Sequence, residues 1–567
     1  MKFNEMKYKR LDVNEMENSL KQPLEKFKVA DNYETAKEAF LEMDKAQTHI
    51  HTYATLAQIH HDIDTRDDFY TKENEFWMET LPQLQPYSAS FTKALLHSPF
   101  RAEFEKDFGT ILFVNAEIEE KAFDPILIED LKKENKLAQE YENLLASAQV
   151  DFEGEKYTLS QMTPFMNDAD DDRRLQAWIA EGRWYKEHQP EMDRIYDELV
   201  HLRDGMGKKL GYDGYTQLGY YRMQRNCYTK EDIAKFREAV VKYVVPVTES
   251  IYKEQAKRLE KSYPLSFADA QLEFRSGNSK PAGTAEDVVK AGIKFYDELS
   301  PVTSEYFHQM VDGDLMNLLS TEGKAGGGYC TSLGDYRMPF IFANFNGTQG
   351  DVEVITHEAG HAFEAWLNKD RVPESTIWPT MEACECHSMS MEFFGQEWAK
   401  DFFGEDAGKY VYSHVAGAMK FIPYGTAVDH FQHEIYAHPE YTPRQRHDVW
   451  KKLCQLYMPW YRLDGQIPFY SDGEHWQLKH HIYSSPFYYI DYCLAQTISL
   501  EFWAMIQTDI HKAWDKYMEY TSLGGSDTWT NMLKTSHLSS PFEGDTLKEI
   551  CEKVQEYLDN YDLTDIA

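Results

Sequence analysis

Hydrophobic and polar residues alternate along most of this chain with the period of an α-helix. In the first third, apolar residues recur three or four positions apart among Glu, Lys and Ala, and glycine is scarce. This spacing gathers apolar side chains on one helix face. It predicts helices over residues 20–27, 33–60 and 70–84, with Pro82 and Pro86 as interruptions. Another helix is predicted over residues 173–184, after the acidic capping cluster at residues 168–172.

The same period continues beyond this region, with two short exceptions. Long helices are predicted over residues 191–263, closed by Pro264, and a further helix over residues 285–300, with a loop between them. Residues 150–159 have the pattern of a β-hairpin with Glu153 and Gly154 at its turn, and residues 340–345 that of a strand. The sequence therefore predicts a mainly α-helical fold with a small β component.

Residues 350–369 carry the strongest single pattern in the chain. An apolar stripe repeats at three- and four-residue steps, formed by Val352, Ile355, Ala359, Phe363 and Trp366. Gly350 and Asp351 favour a helix start, and Asn368 and Lys369 favour its end. We therefore expect an amphipathic helix here.

The polar residues of this helix suggest a metal site. His357 and His361 are four positions apart, so both imidazoles leave the same face and can meet one small cation. Glu358 projects from a neighbouring direction and can reach a water molecule held by that cation. This H-E-x-x-H arrangement is typical of two zinc ligands and a general base. The alternative is a buried amphipathic helix with two hydrogen-bonded histidines.

Composition narrows the function classes. A chain of 567 residues is too long to fold around a single hydrophobic core, so two or three subdomains are expected. A net charge of −36 disfavours nucleic acid and membrane-surface partners, because an acidic chain repels phosphate and anionic lipid. There is no apolar leader at the N-terminus and no run of apolar residues long enough for a membrane span. Seven scattered cysteines do not suggest a disulfide framework, so a cytoplasmic location is expected.

A catalytic zinc needs a third protein ligand, and the sequence offers several. Leu367 occupies the position where a metzincin would have its third histidine. A second helix, predicted over residues 380–394, can return alongside the first. Its candidate ligands are Glu382, Glu385, Glu392 and His387. By contrast, His433 and His438 are five apart and precede Pro439, so we interpret them as structural.

The two helices together resemble the thimet oligopeptidase and oligoendopeptidase F family of zinc peptidases. The resemblance rests on H-E-x-G-H at residues 357–361, followed 28 residues after its first histidine by E-x-x-S-x-x-x-E at residues 385–392. It implies one zinc ion per chain, held by His357, His361 and Glu385, with Glu358 as general base. It also implies that Glu392 orients a ligand imidazole, while Glu382 keeps a rival claim on spacing alone.

Further segments extend the resemblance from about residue 191 to residue 563. Residues 323–329 resemble the family's glycine-rich loop, and residues 342–345 resemble its substrate-binding edge strand. Residues 480–492 resemble the segment that faces the metal across the cleft. The family more often has F-Y-x-Y-x-Y in this segment, whereas residues 487–492 read F-Y-Y-I-D-Y, which departs from that spacing at Tyr489. The substrate-binding residues implied are Gly327, Ala343, Asn344 and Tyr488. The candidates for stabilising the oxyanion are, in order of preference, Tyr492, Tyr489, His481 and Tyr488.

The resemblance implies a zinc endopeptidase that cleaves unstructured oligopeptides in a deep channel, with a small sheet beside the zinc helix. We expect residues 1–190 to form a helical domain along one wall of the channel and residues 191–567 to form the catalytic domain. Two alternatives remain: a zinc carboxypeptidase or dipeptidase, and a helical binding protein whose structural zinc is closed by His387 or Cys386. The oligomeric state is open, with a homo-oligomer among the options.

Overall fold

A computed structural model describes residues 1–564 and 566 as a predominantly helical molecule with two small β-sheets. The prediction of a mainly α-helical fold with a small sheet is confirmed. None of the helices in the described residues combines the length and hydropathy that crossing a bilayer demands.

The first helices begin where the sequence supplies capping side chains. Asp12, Asn32 and Asp67 each accept a hydrogen bond from a backbone N–H in the first turn of the helix that follows. Such caps satisfy donors that a helix start leaves free. The first five helices are α1 (Val13–Lys28), α2 (Tyr33–Ile63), α3 (Asp68–Leu96), α4 (Arg101–Phe108) and α5 (Ile111–Ala122).

Helix α3 runs through both of its prolines, so the predicted interruptions at Pro82 and Pro86 are wrong. Each interior proline costs about 3 kcal/mol through a lost hydrogen bond and a steric clash. Burial of Trp77, Leu84 and Phe91 on one face of the helix contributes about 1.5–3 kcal/mol for each side chain. Packing of this face therefore outweighs the local preference of the prolines.

The helices α1 to α5 enclose a hydrophobic core of their own. Its buried members include Phe27, Phe40, Trp77 and Phe104, and it is separate from the larger core that fills the rest of the molecule. The boundary expected near residue 190 falls within a continuous helix over Asp171–Lys209, and the division into two domains at that point stays a prediction.

The middle of the chain contains the predicted hairpin and a series of helices. The hairpin is confirmed, with Glu153 and Gly154 both at positive φ in its turn. The elements in chain order are α6 (Ile128–Ala146), β1 (Val150–Phe152), β2 (Glu155–Tyr157), α7 (Leu159–Met166), α8 (Asp171–Lys209), α9 (Tyr215–Arg222), α10 (Lys230–Ala239), α11 (Val245–Arg258), α12 (Phe267–Ala270), α13 (Ala285–Leu299) and α14 (Pro301–Asp312).

A three-stranded sheet follows, made of β3 (Met316–Leu319), β4 (Tyr329–Leu333) and β5 (Met338–Phe345). The predicted strand is confirmed as β5, but its expected place at the edge of the sheet is wrong. β5 is the central strand, parallel to β3 and antiparallel to β4. Its continuous apolar run explains this position, because a strand covered on both faces does not alternate. The outer strand nearer the predicted site is β4.

The two helices of the predicted metal site cross closely after this sheet. They are α15 (Gly350–Leu367) and α16 (Met381–Phe394), as the apolar pattern predicted. Gly360 lies at the crossing, where a Cβ would come within 2.8 Å of the Ser388 Cα. The remaining helices are α17 (Ala399–Phe403), α18 (Ala407–Ala437), α19 (Pro443–Tyr457), α20 (His480–Ser484), α21 (Tyr489–Ile506), α22 (Ile510–Thr521), α23 (Trp529–Thr535) and α24 (Thr546–Asp559).

Replacing Gly360 by alanine is expected to lower the free energy of unfolding by about 1–3 kcal/mol, because the added methyl group forces two backbones apart. The control is Gly205→Ala in α8, where a Cβ would meet no atom within 4 Å. Alanine there should leave stability equal or raise it by about 0.5–1 kcal/mol. Urea-induced unfolding measures both, and equal stability of the two variants would contradict the close crossing of α15 and α16.

Candidate metal centre and active site

Helices α15 and α16 bring His357, His361 and Glu385 to one point. One carboxylate oxygen of Glu385, Oε2, lies 3.3 Å from His357 Nε2 and 3.4 Å from His361 Nε2. The two imidazole rings stand nearly perpendicular, at 85°, with centroids 5.0 Å apart. Potential ligand atoms of the three residues all lie within 4.8 Å of one another. Two residues separated by one helix turn and a third from the next helix therefore form a single cluster.

The donor set of this cluster fits a zinc ion. Two imidazole nitrogens and one carboxylate oxygen are the ligands of many catalytic zinc sites. Burial opposes the ionisation of Glu385, yet the imidazoles of His361 and His357 hold the pKa of this carboxyl well below its usual value. Glu385 is therefore an anion, as a metal ligand must be. Among the described residues the cluster contains neither His387 nor Cys386, so no fourth side chain closes it.

The rival ligand and the alternative fourth ligands lie elsewhere. Glu382 is buried and accepts a hydrogen bond from the Thr380 hydroxyl at 2.7 Å. His387 is buried with its ring 5.0 Å from that of Tyr520. The histidine interpreted as structural, His433, packs against Phe487 and pairs with the Tyr220 hydroxyl at 3.0 Å. None of these side chains joins the cluster.

A chain of polar side chains orients the first imidazole. Glu392 Oε1 accepts a hydrogen bond from His357 Nδ1 at 2.6 Å, which leaves Nε2 of that ring free for a cation. Glu392 Oε2 accepts from His414 Nε2 at 2.9 Å, and Gln396 donates to His414 Nδ1 at 2.8 Å. Because Glu385 and Glu392 are seven residues apart, they share one face of α16 and reach opposite nitrogens of His357.

Sequence reasoning missed His414 and Gln396. Neither belongs to a motif, and His414 comes from α18, 22 residues beyond Glu392. The only feature of the sequence that could have indicated them is their chemistry, because each is a polar residue among apolar neighbours. Buried polar groups of this kind require partners, but the sequence does not say which.

Two hydroxyl groups hold the Glu385 carboxylate in place. Ser388 Oγ donates to Oε2 at 3.0 Å, and the Tyr488 hydroxyl donates to Oε1 at 2.6 Å. Tyr488 was predicted to contact substrate. Its hydroxyl donates to the carboxylate and its ring is partly exposed, and its contact with substrate stays a prediction.

The predicted general base, Glu358, lies beside the cluster and is 8% exposed. Burial raises the pKa of its carboxyl, while the imidazoles of His357 and His361 lower it, and the net shift is upward. The glycine-rich loop passes across this carboxylate, since a Cβ on Gly328 would lie 3.8 Å from Glu358 Oε1. The glycines of residues 326–328, which have no side chains, thus border Glu358 just before the outer strand β4.

The other predicted substrate-binding residues hold this loop. Asn344 donates its amide protons to the carbonyl oxygens of Ala325 and Gly327 at 2.8 and 2.9 Å. Ala343 is fully buried, and its carbonyl oxygen accepts from the Lys324 ammonium. Gly327 itself is exposed at positive φ. The Asn344 side chain and the Ala343 carbonyl of β5 therefore hold the loop, and the backbone of residues 326–328 is exposed.

The predicted oxyanion donors form one aromatic wall. The ring of His481 lies 5.8 Å from Tyr492 and 5.0 Å from Tyr489, and Tyr488 lies 4.9 Å from Tyr492. Burial raises the pKa of Tyr492, and the nearby Glu385 and Glu358 carboxylates raise it further, so its phenol keeps a proton to donate. Tyr489 is buried between Phe421 and Tyr424, as a packing residue is.

His481 supplies a second neutral donor in this wall. Burial lowers the pKa of its imidazole to about 2, with His480 and Lys479 acting in the same direction. Its Nδ1 is buried with no hydrogen-bond partner among the described residues. The tertiary structure thus brings all four of the predicted wall residues together but distinguishes their surroundings.

Comparison with known proteins gives two family matches. Residues 165–552 match the model described as Peptidase family M3, and residues 3–123 match the Peptidase M3 N-terminal domain. Among curated protein sequences, none matches the chain at a significant level.

Solved structures match over nearly the whole chain. A 3.1 Å X-ray structure assigned as an oligoendopeptidase F is 42% identical, with 99% of both chains covered and a TM-score of 0.96. PZ peptidase A, solved with an inhibitor, is 41% identical over 99% of this chain and 100% of its own, with a TM-score of 0.96. A protein from Bacillus anthracis str. Ames, also assigned as an oligoendopeptidase F, is 40% identical over 99% of both chains, with a TM-score of 0.92.

Replacing Glu392 by alanine is expected to weaken metal binding by about 10–100-fold, because His357 then loses the acceptor that orients its ring. The control is Glu353→Gln on α15, whose carboxylate accepts a hydrogen bond from Gln349 and, unlike Glu392, forms no hydrogen bond with His357. Competition with a chelator measures both affinities. Equal metal affinities of the two variants would contradict the role of Glu392 in orienting His357 for metal binding.

Proposed function

The chain belongs to peptidase family M3 and is a metalloendopeptidase of the oligopeptidase type, and from this premise we propose how its residues carry out the reaction. The observation that supports the proposal most directly is the open cluster of His357, His361 and Glu385, with a second acidic residue, Glu358, beside it. Three ligands with a free corner and an adjacent base are what metal-assisted hydrolysis of an amide requires.

We propose one zinc ion per chain, held by His357, His361 and Glu385. When bound there, zinc would act as a Lewis acid that makes a water molecule nucleophilic near neutral pH. Glu392 and Ser388 keep the imidazole and the carboxylate in the orientation that binding needs.

Glu358 moves the proton in this proposal. One of its carboxylate oxygens accepts a proton from the attacking water as the new C–O bond forms at the scissile carbonyl. The same oxygen then donates that proton to the leaving amine nitrogen as the C–N bond breaks. Burial suits the carboxyl to both roles, because a raised pKa brings the two protonation states closer to neutral pH.

Tyr492 is the proposed donor to the oxyanion, with His481 as the second candidate. Its hydroxyl is ionised only far above neutral pH, and its ring lies 4.9 Å from that of Tyr488, whose hydroxyl donates to Glu385. A preorganised donor that strengthens its hydrogen bond as charge develops lowers the barrier to reaction.

The outer strand β4 is the proposed binding edge for substrate. β5 pairs with one edge of β4, and within the described residues no other strand covers the opposite edge. An extended peptide can add to such an edge through main-chain hydrogen bonds. The exposed glycine backbone of residues 326–328 leaves room for it next to Glu358. Only unfolded oligopeptides can adopt this arrangement.

Cleavage of an internally quenched peptide blocked at both ends tests the endopeptidase assignment. An endopeptidase hydrolyses it, whereas a carboxypeptidase or dipeptidase leaves it intact. We expect the enzyme to work in the cytoplasm. All seven cysteines lie in the described part of the chain and are free thiols, five of them buried, as a reducing compartment favours.

Replacing Glu358 by glutamine is expected to lower kcat by about 10²–10⁴-fold, because the amide cannot accept the proton. The variant should still bind one equivalent of zinc, whereas Glu385→Gln should lose metal and activity together. Metal content by mass spectrometry and turnover of the quenched peptide separate the two effects. Near-normal turnover by Glu358→Gln would refute its role as base.

Replacing Tyr492 by phenylalanine is expected to lower kcat by about 10²–10³-fold with little change in KM, because the lost hydrogen bond forms mainly in the transition state. Tyr489→Phe is the matched control: it removes a hydroxyl from the same helix, but one that packs against Phe421 and Tyr424. If Tyr489→Phe has the larger effect on kcat, the assignment of the donor is reversed.

A further inference from the structure

A half-buried lysine lies in the wall that carries the proposed oxyanion donors, and it has no counter-ion among the described residues. Lys479 precedes α20 in the chain, and its ammonium nitrogen lies 4.9 Å from the centroid of the Tyr489 ring and 5.5 Å from that of Tyr424. These two rings give it cation–π contacts, which stabilise the charge only in part.

None of the acidic groups that the structure describes pairs with this ammonium. Within residues 1–564 and 566, its side chain makes neither an ion pair nor a hydrogen bond, so its three N–H groups have no protein acceptor. Burial lowers the pKa of Lys479 to about 8, with no carboxylate acting against it. The two neighbouring histidines, His480 and His481, are neutral because burial lowers their pKa to about 4 and about 2.

Two other lysines of the same molecule show how burial is usually compensated. Lys420 forms an ion pair with Glu273 and also donates to Gln255 Oε1 at 2.8 Å. Lys324 donates to three backbone carbonyl oxygens, including that of Leu319 at 2.8 Å. A partly desolvated charge that has neither kind of partner is unfavourable for folding. The presence of a lysine at position 479 is therefore not explained by a contribution to the stability of the fold.

The position of Lys479 connects it to the proposed reaction site. Tyr489, under its ammonium, lies 5.4 Å from Tyr492 and 5.0 Å from His481. Tyr488, the next ring of the wall, donates to Glu385. A continuous row of aromatic rings thus leads from the metal cluster to the ammonium. Lys479, His481, Tyr488 and Tyr492 all keep part of their surface open to solvent.

We propose that Lys479 binds a carboxylate of the peptide substrate a few residues from the scissile bond. This inference rests on the proposed function and adds a preference for an anionic group at one distance from the cut. The carboxylate can be the C-terminal one or that of an Asp or Glu side chain. An ammonium with three free N–H groups suits either one, since hydrogen bonds between charged groups are the strong ones.

The charge of the whole chain makes this preference informative. With 95 acidic and 59 basic side chains, the protein as a whole repels anionic peptides. A carboxylate bound at Lys479 thus reflects a local contact and not general attraction. It also fixes the register of the peptide relative to Glu358, because a peptide held at one charged point can slide less along the edge of β4.

The test uses internally quenched peptides with fluorophore and quencher on internal side chains. One pair differs only in a C-terminal acid or amide, and a second set of amidated peptides carries Glu or Gln at each position around the cut. For the wild-type enzyme we expect kcat/KM to favour the carboxylate form in one of the two sets by about 10-fold or more, the contribution of one charge-assisted hydrogen bond.

The variant Lys479→Met should reduce this preference to less than about twofold, through a higher KM for the carboxylate peptide and an unchanged kcat. Its kcat/KM for the uncharged peptides should stay within about twofold of wild type. Lys479→Arg should keep most of the preference. The control is Lys290→Met, whose exposed side chain pairs with Asp287 outside the site and should change nothing.

Three results would overturn the inference: a wild-type enzyme that cleaves the charged and uncharged peptides equally, a Lys479→Met variant that keeps the preference, or one that loses activity equally on both. The wild-type comparison needs no variant, so it stands even if Lys479→Met fails to fold. Failure of the proposed function looks different, because then the wild-type enzyme cleaves none of the peptides.

Discussion

The carboxylate of Glu385 is the group on which the rest of the site depends. Its Oε2 lies between the two imidazoles of α15, and its Oε1 accepts from Tyr488 at the start of α21. A buried carboxylate is costly unless charged or polar partners surround it, and here they come from two other segments. One negative charge therefore sets the distance between the helices that hold the metal and the wall that faces it. Because zinc binding would couple to this arrangement, its free energy adds to that of folding.

The backbone around the site is shaped to allow these contacts. Gly360 lets α15 and α16 approach closely enough for side chains of both to share one ion. At the opposite wall, Phe487 has a positive φ of 70°, and Arg225 donates both to its carbonyl oxygen and to Asp491 Oδ1. Such a conformation persists only where surrounding groups determine it. The buried arginine thus holds the start of α21, and with it Tyr488 and Tyr492, in register with the metal cluster.

The buried charged side chains near the site differ in whether they have a partner of opposite charge. Asp491 and Arg225 form an ion pair in which both side chains are fully buried, and Glu392 is shared between two histidines. Lys479 has no comparable partner in the part of the chain that the structure describes. Interior charges that have partners serve structure, and a charge that lacks one is available to a ligand. The surroundings of the two tyrosines differ in the same way. Tyr489 packs among aromatic rings, whereas the carboxylates of Glu385 and Glu358 raise the pKa of Tyr492.

The sequence by itself determined the type of most elements and the chemistry at the centre of the site. A 3.6-residue stripe makes α15 a helix, and a spacing of four residues puts His357 and His361 on one face of it. The sequence did not determine that α3 continues through Pro82 and Pro86, or that β5 is the central strand of its sheet. Burial against distant segments decides both. Nor could the sequence show that Gln396 and His414 support Glu392, or that Lys479 meets no carboxylate within residues 1–564 and 566. Those facts depend on which side chains meet across separate helices, and only tertiary packing decides that, since local periodicity reaches no further than one element.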